Sequence, residues 1–182
     1  MGINRMNRAV FLDRDGVINA VFVRESTPHP PLSLEEFRFL PGVAQACQAL
    51  RAAGFVLIVV TNQPDVARGT QTRQCVETLN DRVRSELPVE EVLTCYHDNN
   101  NNCDCRKPKP GLLLQAAVRW HLNLDESFMI GDRWSDVEAG HACGCSTILI
   151  ERSYSSSERC QADWVVSDLT TAAAIILEEA SK

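Results

Sequence analysis

The sequence predicts an α/β fold, a doubly wound (Rossmann-like), mostly parallel sheet with helices on both faces. Three observations predict it. Short apolar runs of strand length recur along the chain, helical patterns fill the intervals between them, and several of the runs end in acidic or polar residues next to glycine. Strands alternating with helices pair in parallel, because the helix supplies the crossover that a parallel pair requires.

Residues 9–12 (AVFL) are the first strand. Residues 43–53 are helical, and Gly54 stops that helix. Residues 55–60 (FVLIVV), apolar throughout and rich in β-branched side chains, are the clearest buried strand. A helix over 71–87 ends before Pro88, and a short strand follows over 91–96. Residues 110–122 form a helix with Pro and Gly at its start. A strand over 127–130 runs into Gly131-Asp132, and a helix over 135–143 is stopped by Gly144. Strands over 147–150 and 163–166 and a helix over 168–180 with an acidic cap complete the chain. Residues 24–41, with Pro28, Pro30, Pro31 and Pro41, are expected to be irregular and to lie over the sheet end, and residues 99–102 form a polar loop.

At 182 residues the chain is most simply one domain, residues 1–182, with enough mass for a real core. Apolar content of 45% and charged content of 23% are ordinary for a globular protein. A net charge of −6 excludes a general binder of nucleic acid or membrane surfaces, though a local basic cluster or a metal can still receive an anion. No run approaches the length of a membrane span, and the polar, basic start before Asp13 has no apolar core of a signal peptide. A cytoplasmic monomer is the default expectation, and the eight cysteines then read as thiols or metal ligands before disulfides.

Four segments carry chemistry, all at carboxyl ends of strands or beside helix starts, where ligands bind in such sheets. Asp13 and Asp15 follow the first strand, Thr61-Asn62-Gln63 the second, Arg106-Lys107 precede the helix at Pro110, and Gly131-Asp132-Arg133 with Asp136 follow a later strand. Singly each is ordinary: an Asp-rich turn, a cap, a surface lysine, a helix N-cap. Together they make a phosphotransfer site. Asp13 attacks phosphorus, and Asp15 protonates the leaving oxygen and then activates water. Thr61 and Lys107 hold the phosphoryl oxygens, whose charge must be neutralised during transfer. Asp13, Asp132 and the backbone carbonyl of Asp15 hold a hard cation, Mg²⁺.

These segments, DRDG, TNQ, RKPKPG and GDRWSD, resemble the motifs of the haloacid dehalogenase superfamily of phosphatases. The longer stretches FLDRDGVIN, LPGV, VVTNQ followed by ARG, CDCRKPKPG and MIGDRWSDVEAG are similar to D-glycero-D-manno-heptose 1,7-bisphosphate phosphatases and to their relatives, the histidinol-phosphate phosphatases. The resemblance runs from about Ala9 to Ile150 and implies the same roles for Asp13, Asp15, Thr61, Lys107 and Asp132. It implies removal of the C7 phosphate from a small phosphorylated sugar through an aspartyl-phosphate, with histidinol phosphate or another phosphorylated metabolite as the alternative. It also implies substrate contacts from Arg106, Arg133 and the Asn62 segment, with Arg14 and Gln63 among the candidates. Arg24 and Arg68 are further candidates for a second phosphate. The chain has Pro64-Asp65 where the family usually reads Ser-Gly, and residues 19–24 lack the family's usual wording; both bear on the sugar and not on the chemistry.

Cys95, His97, Cys103 and Cys105 supply three thiols and an imidazole in one short stretch, the ligand set of a closed tetrahedral zinc site. Four protein ligands leave no open position, so the zinc is structural, and the resemblance implies the same. Arg106 and Lys107 follow the last ligand directly, so a folded zinc loop would aim both cations. Cys47, Cys75, Cys143, Cys145 and Cys160 read as ordinary thiols, His29, His121 and His141 receive no role, and Trp134 is placed to border the site. Neither the stretch between Asp15 and Val43 nor that between Thr61 and Lys107 has room for a separate cap domain, which predicts an open site. A receiver-type signalling domain also sets acids, Thr and Lys on such a sheet, but draws its acids from different strands. An inactive phosphate-binding relative is disfavoured because every catalytic position is filled.

Overall fold

In the computed structural model, which describes residues 6–24, 27–154 and 160–182, the apolar runs assemble into a six-stranded sheet of order β5-β4-β1-β6-β7-β8. These strands are β1 (Ala9–Leu12), β4 (Val56–Asn62), β5 (Glu91–Cys95), β6 (Phe128–Gly131), β7 (Ser146–Ile150) and β8 (Trp164–Val166), and every pairing between them is parallel. The helices are α1 (Val43–Ala52), α2 (Arg73–Glu86), α3 (Gly111–Trp120), α4 (Trp134–Ala142) and α5 (Leu169–Glu179). The basic start over residues 1–5 and the side chain of Arg24 lie outside the described residues.

The two-residue period of a strand sorts the core into two layers. Val10 and Leu12 of β1, with Leu57 and Val59 of β4, face Val43, Ala46 and Leu50 of α1, Leu79 and Val83 of α2, and Leu169, Ala172 and Ile176 of α5. Ala9 and Phe11, with Val56, Ile58 and Val60, face Leu112, Leu113 and Ala116 of α3 and Ala139 of α4. Apolar side chains are thus needed on both faces, which is why β1 and β4 read as unbroken apolar runs.

From β1 the chain builds outward through β4 and β5, then crosses back to place β6 on the other side of β1. The register sets Leu12 level with both Val59 and Ile130, so the carboxyl ends of β1, β4 and β6 open at one crevice. That is the switch point at which such sheets bind ligands.

Two expectations are corrected. Residues 24–41 are not wholly irregular: β2 (Phe22–Arg24) and β3 (Thr27–His29) pair as an antiparallel ribbon. The prolines hid it, because Pro28 sits inside β3, a placement that only an edge strand tolerates. The polar loop at 99–102 contains a single 3₁₀ turn, Asn99–Asn101, capped by Asp98, whose carboxylate accepts from the Asn100 N–H at 2.8 Å. The acidic cap of α5 is as expected: Asp168 accepts from the Thr171 N–H at 2.8 Å.

Candidate active site

β1 delivers its acids by ending in a tight turn. The Asp13 N–H still donates to the Ile130 carbonyl at 2.9 Å, and the N–H groups of Ile18 and Asn19 then both return to the Arg14 carbonyl, at 2.8 and 3.0 Å. Gly16 is required there for two reasons. Its φ of +86° lies in the left-handed region, and a Cβ would sit 2.2 Å from Asp132 Oδ2.

Lys107 reaches the same point from the opposite wall. It is 3% exposed, and its ammonium donates to the Val60 carbonyl at 2.7 Å while lying 2.9 Å from Asp13 Oδ1 and 2.6 Å from Asp136 Oδ1. Burial works to lower the lysine's pKa, but Asp13 and Asp136 outweigh it and the ammonium is held above its usual range. Asn62 clamps the backbone of Lys107 from both sides, donating to its carbonyl at 3.0 Å and accepting from its N–H at 3.2 Å. A cavity of about 560 Å³ opens above these groups; Asp13, Asp15, Thr61, Asn62, Lys107 and Asp136 line its floor, and Arg68, Arg106 and Arg133 stand in its wall.

The expected substrate contacts divide. Arg106 and Arg133 face the cavity, and Asn62 does so while it serves Lys107. Arg14 and Gln63, for which the resemblance implied contacts, do not line it. Arg14 is wholly buried and turns under the turn, donating to Asn80 Oδ1 at 2.8 Å and pairing with Asp15 Oδ2 at 3.0 Å. Gln63, 1% exposed, donates to Asp15 Oδ2 at 2.6 Å and to Thr61 Oγ1 at 2.9 Å. With the Asn19 amide on Asp15 Oδ1 at 2.9 Å, these side chains hold Asp15 in place.

Asp13, Asp132 and Asp136 are buried and offer carboxylate oxygens that lie within 4.8 Å of one another. Burial, reinforced by Asp136 and Asp15 and opposed by Lys107, raises Asp13 to about 6. Burial, with Asp13 and Asp136, raises Asp132 to about 8. The donors are hard carboxylate oxygens gathered in one buried cluster, and that donor set fits Mg²⁺. Asp132 does not cap α4: Arg133 occupies that position, and Asp136 Oδ2 accepts the Arg133 N–H at 3.1 Å. The carboxyl group of Asp15 stands outside the trio, tied to Arg14, Asn19 and Gln63.

Beside this site Cys95, His97, Cys103 and Cys105 converge. Cys105 Sγ lies 3.2 Å from Cys95 Sγ, 3.5 Å from Cys103 Sγ and 3.3 Å from His97 Nδ1, and Cys95 Sγ lies 3.8 Å from Cys103 Sγ. Thiolates about 2.3 Å from a tetrahedral ion would stand about 3.8 Å apart, near the 3.2, 3.5 and 3.8 Å between the three sulfurs, so the cage of three thiols and one imidazole fits zinc. Burial pushes the Cys95 thiol up to about 12, a cost that a bound cation removes by taking the thiolate. The cluster aims Arg106: its Nε donates to Asn99 Oδ1 at 2.9 Å and its Nη1 to the His97 carbonyl at 3.3 Å.

Several residues of the site carried no sequence signal. Asn80 joins Arg14 to Thr94 from α2, His29 of the ribbon lines the cavity, and Tyr154 donates to Asp132 Oδ2 at 2.7 Å. Asp136, the last residue of the GDRWSD motif, is visible in the sequence, but its pairing with Lys107 appears only in the folded chain.

Residues 104–172 match a family model described as HAD-hydrolase-like. D-glycero-beta-D-manno-heptose-1,7-bisphosphate 7-phosphatase of Escherichia coli (strain K12) is 34% identical over 176 residues, which cover 88% of this chain and 89% of that one. The chain belongs to the haloacid dehalogenase family of phosphatases, in its heptose bisphosphate phosphatase group. The Helicobacter pylori (strain ATCC 700392 / 26695) phosphatase of the same name is 37% identical over 142 residues, 74% of this chain and 78% of that one. The crystal structure of D,D-heptose 1.7-bisphosphate phosphatase from B. bronchiseptica, complexed with magnesium and phosphate, has a TM-score of 0.81 at 28% identity, covering 94% of this chain and 99% of that one.

The thiol cage makes a prediction for this phosphatase. The purified chain will carry one zinc, measured by plasma emission. Cys103→Ser will lose it and melt lower by roughly 5 °C or more, since metal-binding energy is here local folding energy. A zinc-free wild type with an unchanged melting temperature would refute the assignment.

Proposed function

We propose that this phosphoric monoester hydrolase removes the C7 phosphate of D-glycero-D-manno-heptose 1,7-bisphosphate through an aspartyl-phosphate on Asp13, with Mg²⁺ as cofactor and a structural zinc. The observation that carries the chemistry is the pairing of Asp13 with the buried ammonium of Lys107 at 2.9 Å on the cavity floor. The names of the relatives support the substrate, and so does a cavity with guanidinium groups in its wall.

In this reading the ester phosphate enters with its oxygens toward Lys107 and the Thr61 hydroxyl. Asp13 attacks phosphorus in line with the ester oxygen. The phosphorus–oxygen bond of the ester breaks, and Asp15 passes its proton to the departing sugar oxygen. Asp15, now a carboxylate, takes a proton from water, and the water oxygen attacks phosphorus. The bond to Asp13 breaks and inorganic phosphate is released. Bound Mg²⁺, held by Asp13, Asp132 and the Asp15 carbonyl, would neutralise the charge of the transferring group. Gln63, Asn19 and Arg14 keep Asp15 aimed throughout.

The second phosphate needs a cation away from the metal. Arg106, held by the zinc loop, and Arg68, near enough to lower the pKa of Arg106 further after burial has done so, form that end of the cavity. Arg is suited to it because its fork bonds two phosphate oxygens at once. One observation favours a second reading, histidinol phosphate. Asp65 lines the same wall and pairs with Arg68 at 3.4 Å, which places a carboxylate where a substrate ammonium could sit.

Two experiments test the reading. Asp13→Asn will lower kcat by at least about 10⁴-fold with the circular dichroism spectrum unchanged, because uncatalysed phosphate-monoester hydrolysis is extremely slow; activity within about tenfold of wild type would sink the nucleophile assignment. Arg106→Ala will raise KM for the heptose bisphosphate about 10- to 100-fold, the loss of one charge-assisted fork, and will change KM for a monophosphate far less. Equal effects on both would assign Arg106 to the reacting phosphate or the fold. In the same series, a higher kcat/KM for histidinol phosphate than for the bisphosphate would move the enzyme to the second reading.

A further inference from the structure

The segment that follows β7 reaches back over the catalytic turn. Arg152 donates from Nε at 3.0 Å and from Nη2 at 2.8 Å to the Gly16 carbonyl. Two residues on, the Tyr154 hydroxyl donates to Asp132 Oδ2 at 2.7 Å. A Cβ on Gly16 would lie 2.2 Å from that same oxygen and 2.5 Å from the tyrosine hydroxyl. Three segments distant in sequence therefore meet at one oxygen of a carboxylate that is itself 0% exposed.

We propose that Tyr154 is a positioning residue of the carboxylate cluster, one that locks the rotation of Asp132 and thereby sets the affinity for Mg²⁺. The inference rests on the Mg²⁺ reading given above. The last torsion of an aspartate is broad, and its rotation about Cβ–Cγ decides which oxygen faces a neighbour. With Oδ2 engaged by the phenol on the Gly16 side, the plane of the carboxylate is fixed relative to Asp13, whose oxygen lies in the same cluster. An O–H donor on a buried carboxylate forms a charge-assisted bond, among the stronger kinds available to a side chain. Groups that orient metal ligands in this way typically change metal affinity or activity 10- to 100-fold when removed.

Geometry also separates this role from a general structural one. Arg152 fastens the segment to Gly16 independently, through two bonds. Tyr154→Phe therefore deletes the donor while the ring and the segment keep their other contacts.

The test is calorimetric titration of Mg²⁺ into the full chain, with zinc content verified equal between variants. Tyr154→Phe is expected to raise the Mg²⁺ dissociation constant about tenfold or more and to leave the circular dichroism spectrum unchanged. The Mg²⁺ concentration for half-maximal hydrolysis of p-nitrophenyl phosphate should rise in parallel, with the rate at saturating Mg²⁺ returning toward wild type. A dissociation constant within about twofold of wild type overturns the proposal. Asp132→Ala distinguishes the layers. If it abolishes Mg²⁺ binding while Tyr154→Phe does not change it, the positioning role alone fails. If neither variant changes Mg²⁺ binding, the Mg²⁺ reading fails with it.

Discussion

One buried ammonium holds the candidate active site of this phosphatase together. Lys107 Nζ is surrounded by Val60 O, Asp13 Oδ1 and Asp136 Oδ1, so each of its three protons has an acceptor and the charge lies between two carboxylates. Burying those acids without it would be prohibitive, and removing one partner of a buried pair costs about 3–5 kcal/mol. The pairing also orients. Asp13 sits at the end of β1, Val60 in β4 and Asp136 in α4 next to β6, so one side chain ties the three elements that form the crevice. In the proposed reaction the same ammonium turns to the phosphoryl oxygens, and the oxygen it has fixed belongs to the attacking group.

The rest of the site adapts to that geometry. Gly131 lets α4 come close: a Cβ there would stand 2.1 Å from the Asp136 Cβ. Asn62 holds the lysine's backbone, and the thiol cage just before it holds Arg106 through Asn99 and the His97 carbonyl. The cations proposed for catalysis and for recognition are thus neighbours in sequence but anchored separately, Lys107 to the sheet and Arg106 to the cysteine-rich loop. Beneath the turn, Arg14 and Gln63 hold Asp15 from two sides. The carboxyl end of the sheet is densely hydrogen-bonded where chemistry is proposed and is lined by the ribbon and arginines where a sugar would be chosen.

Much of this was legible in the sequence because it depends on local pattern. The unbroken apolar run at 55–60 requires burial on both faces, and the two core layers supply it. The motif acids, Thr61 and Lys107 converge because strands of a doubly wound sheet present their carboxyl ends together. The ribbon over Phe22–His29 was hidden, since it has only three residues per strand and a proline in one of them. The inward turn of Arg14 was hidden too, because the partner that decides it, Asn80, is 66 residues away. Tyr154 and Arg152 follow the last motif and carry no pattern of their own; only the folded chain brings them onto Asp132 and Gly16. Motif spacing reveals which groups assemble, while their orientation comes from neighbours remote in sequence.

The account turns on covalent transfer to Asp13, and the stereochemical course at phosphorus tests it most directly. A phosphorothioate ester made chiral at phosphorus with two oxygen isotopes would be hydrolysed in water carrying the third, and the configuration of the released inorganic thiophosphate determined. Two successive in-line displacements, first by Asp13 and then by water, predict net retention. Net inversion would mean that water attacks the ester directly and would contradict the account.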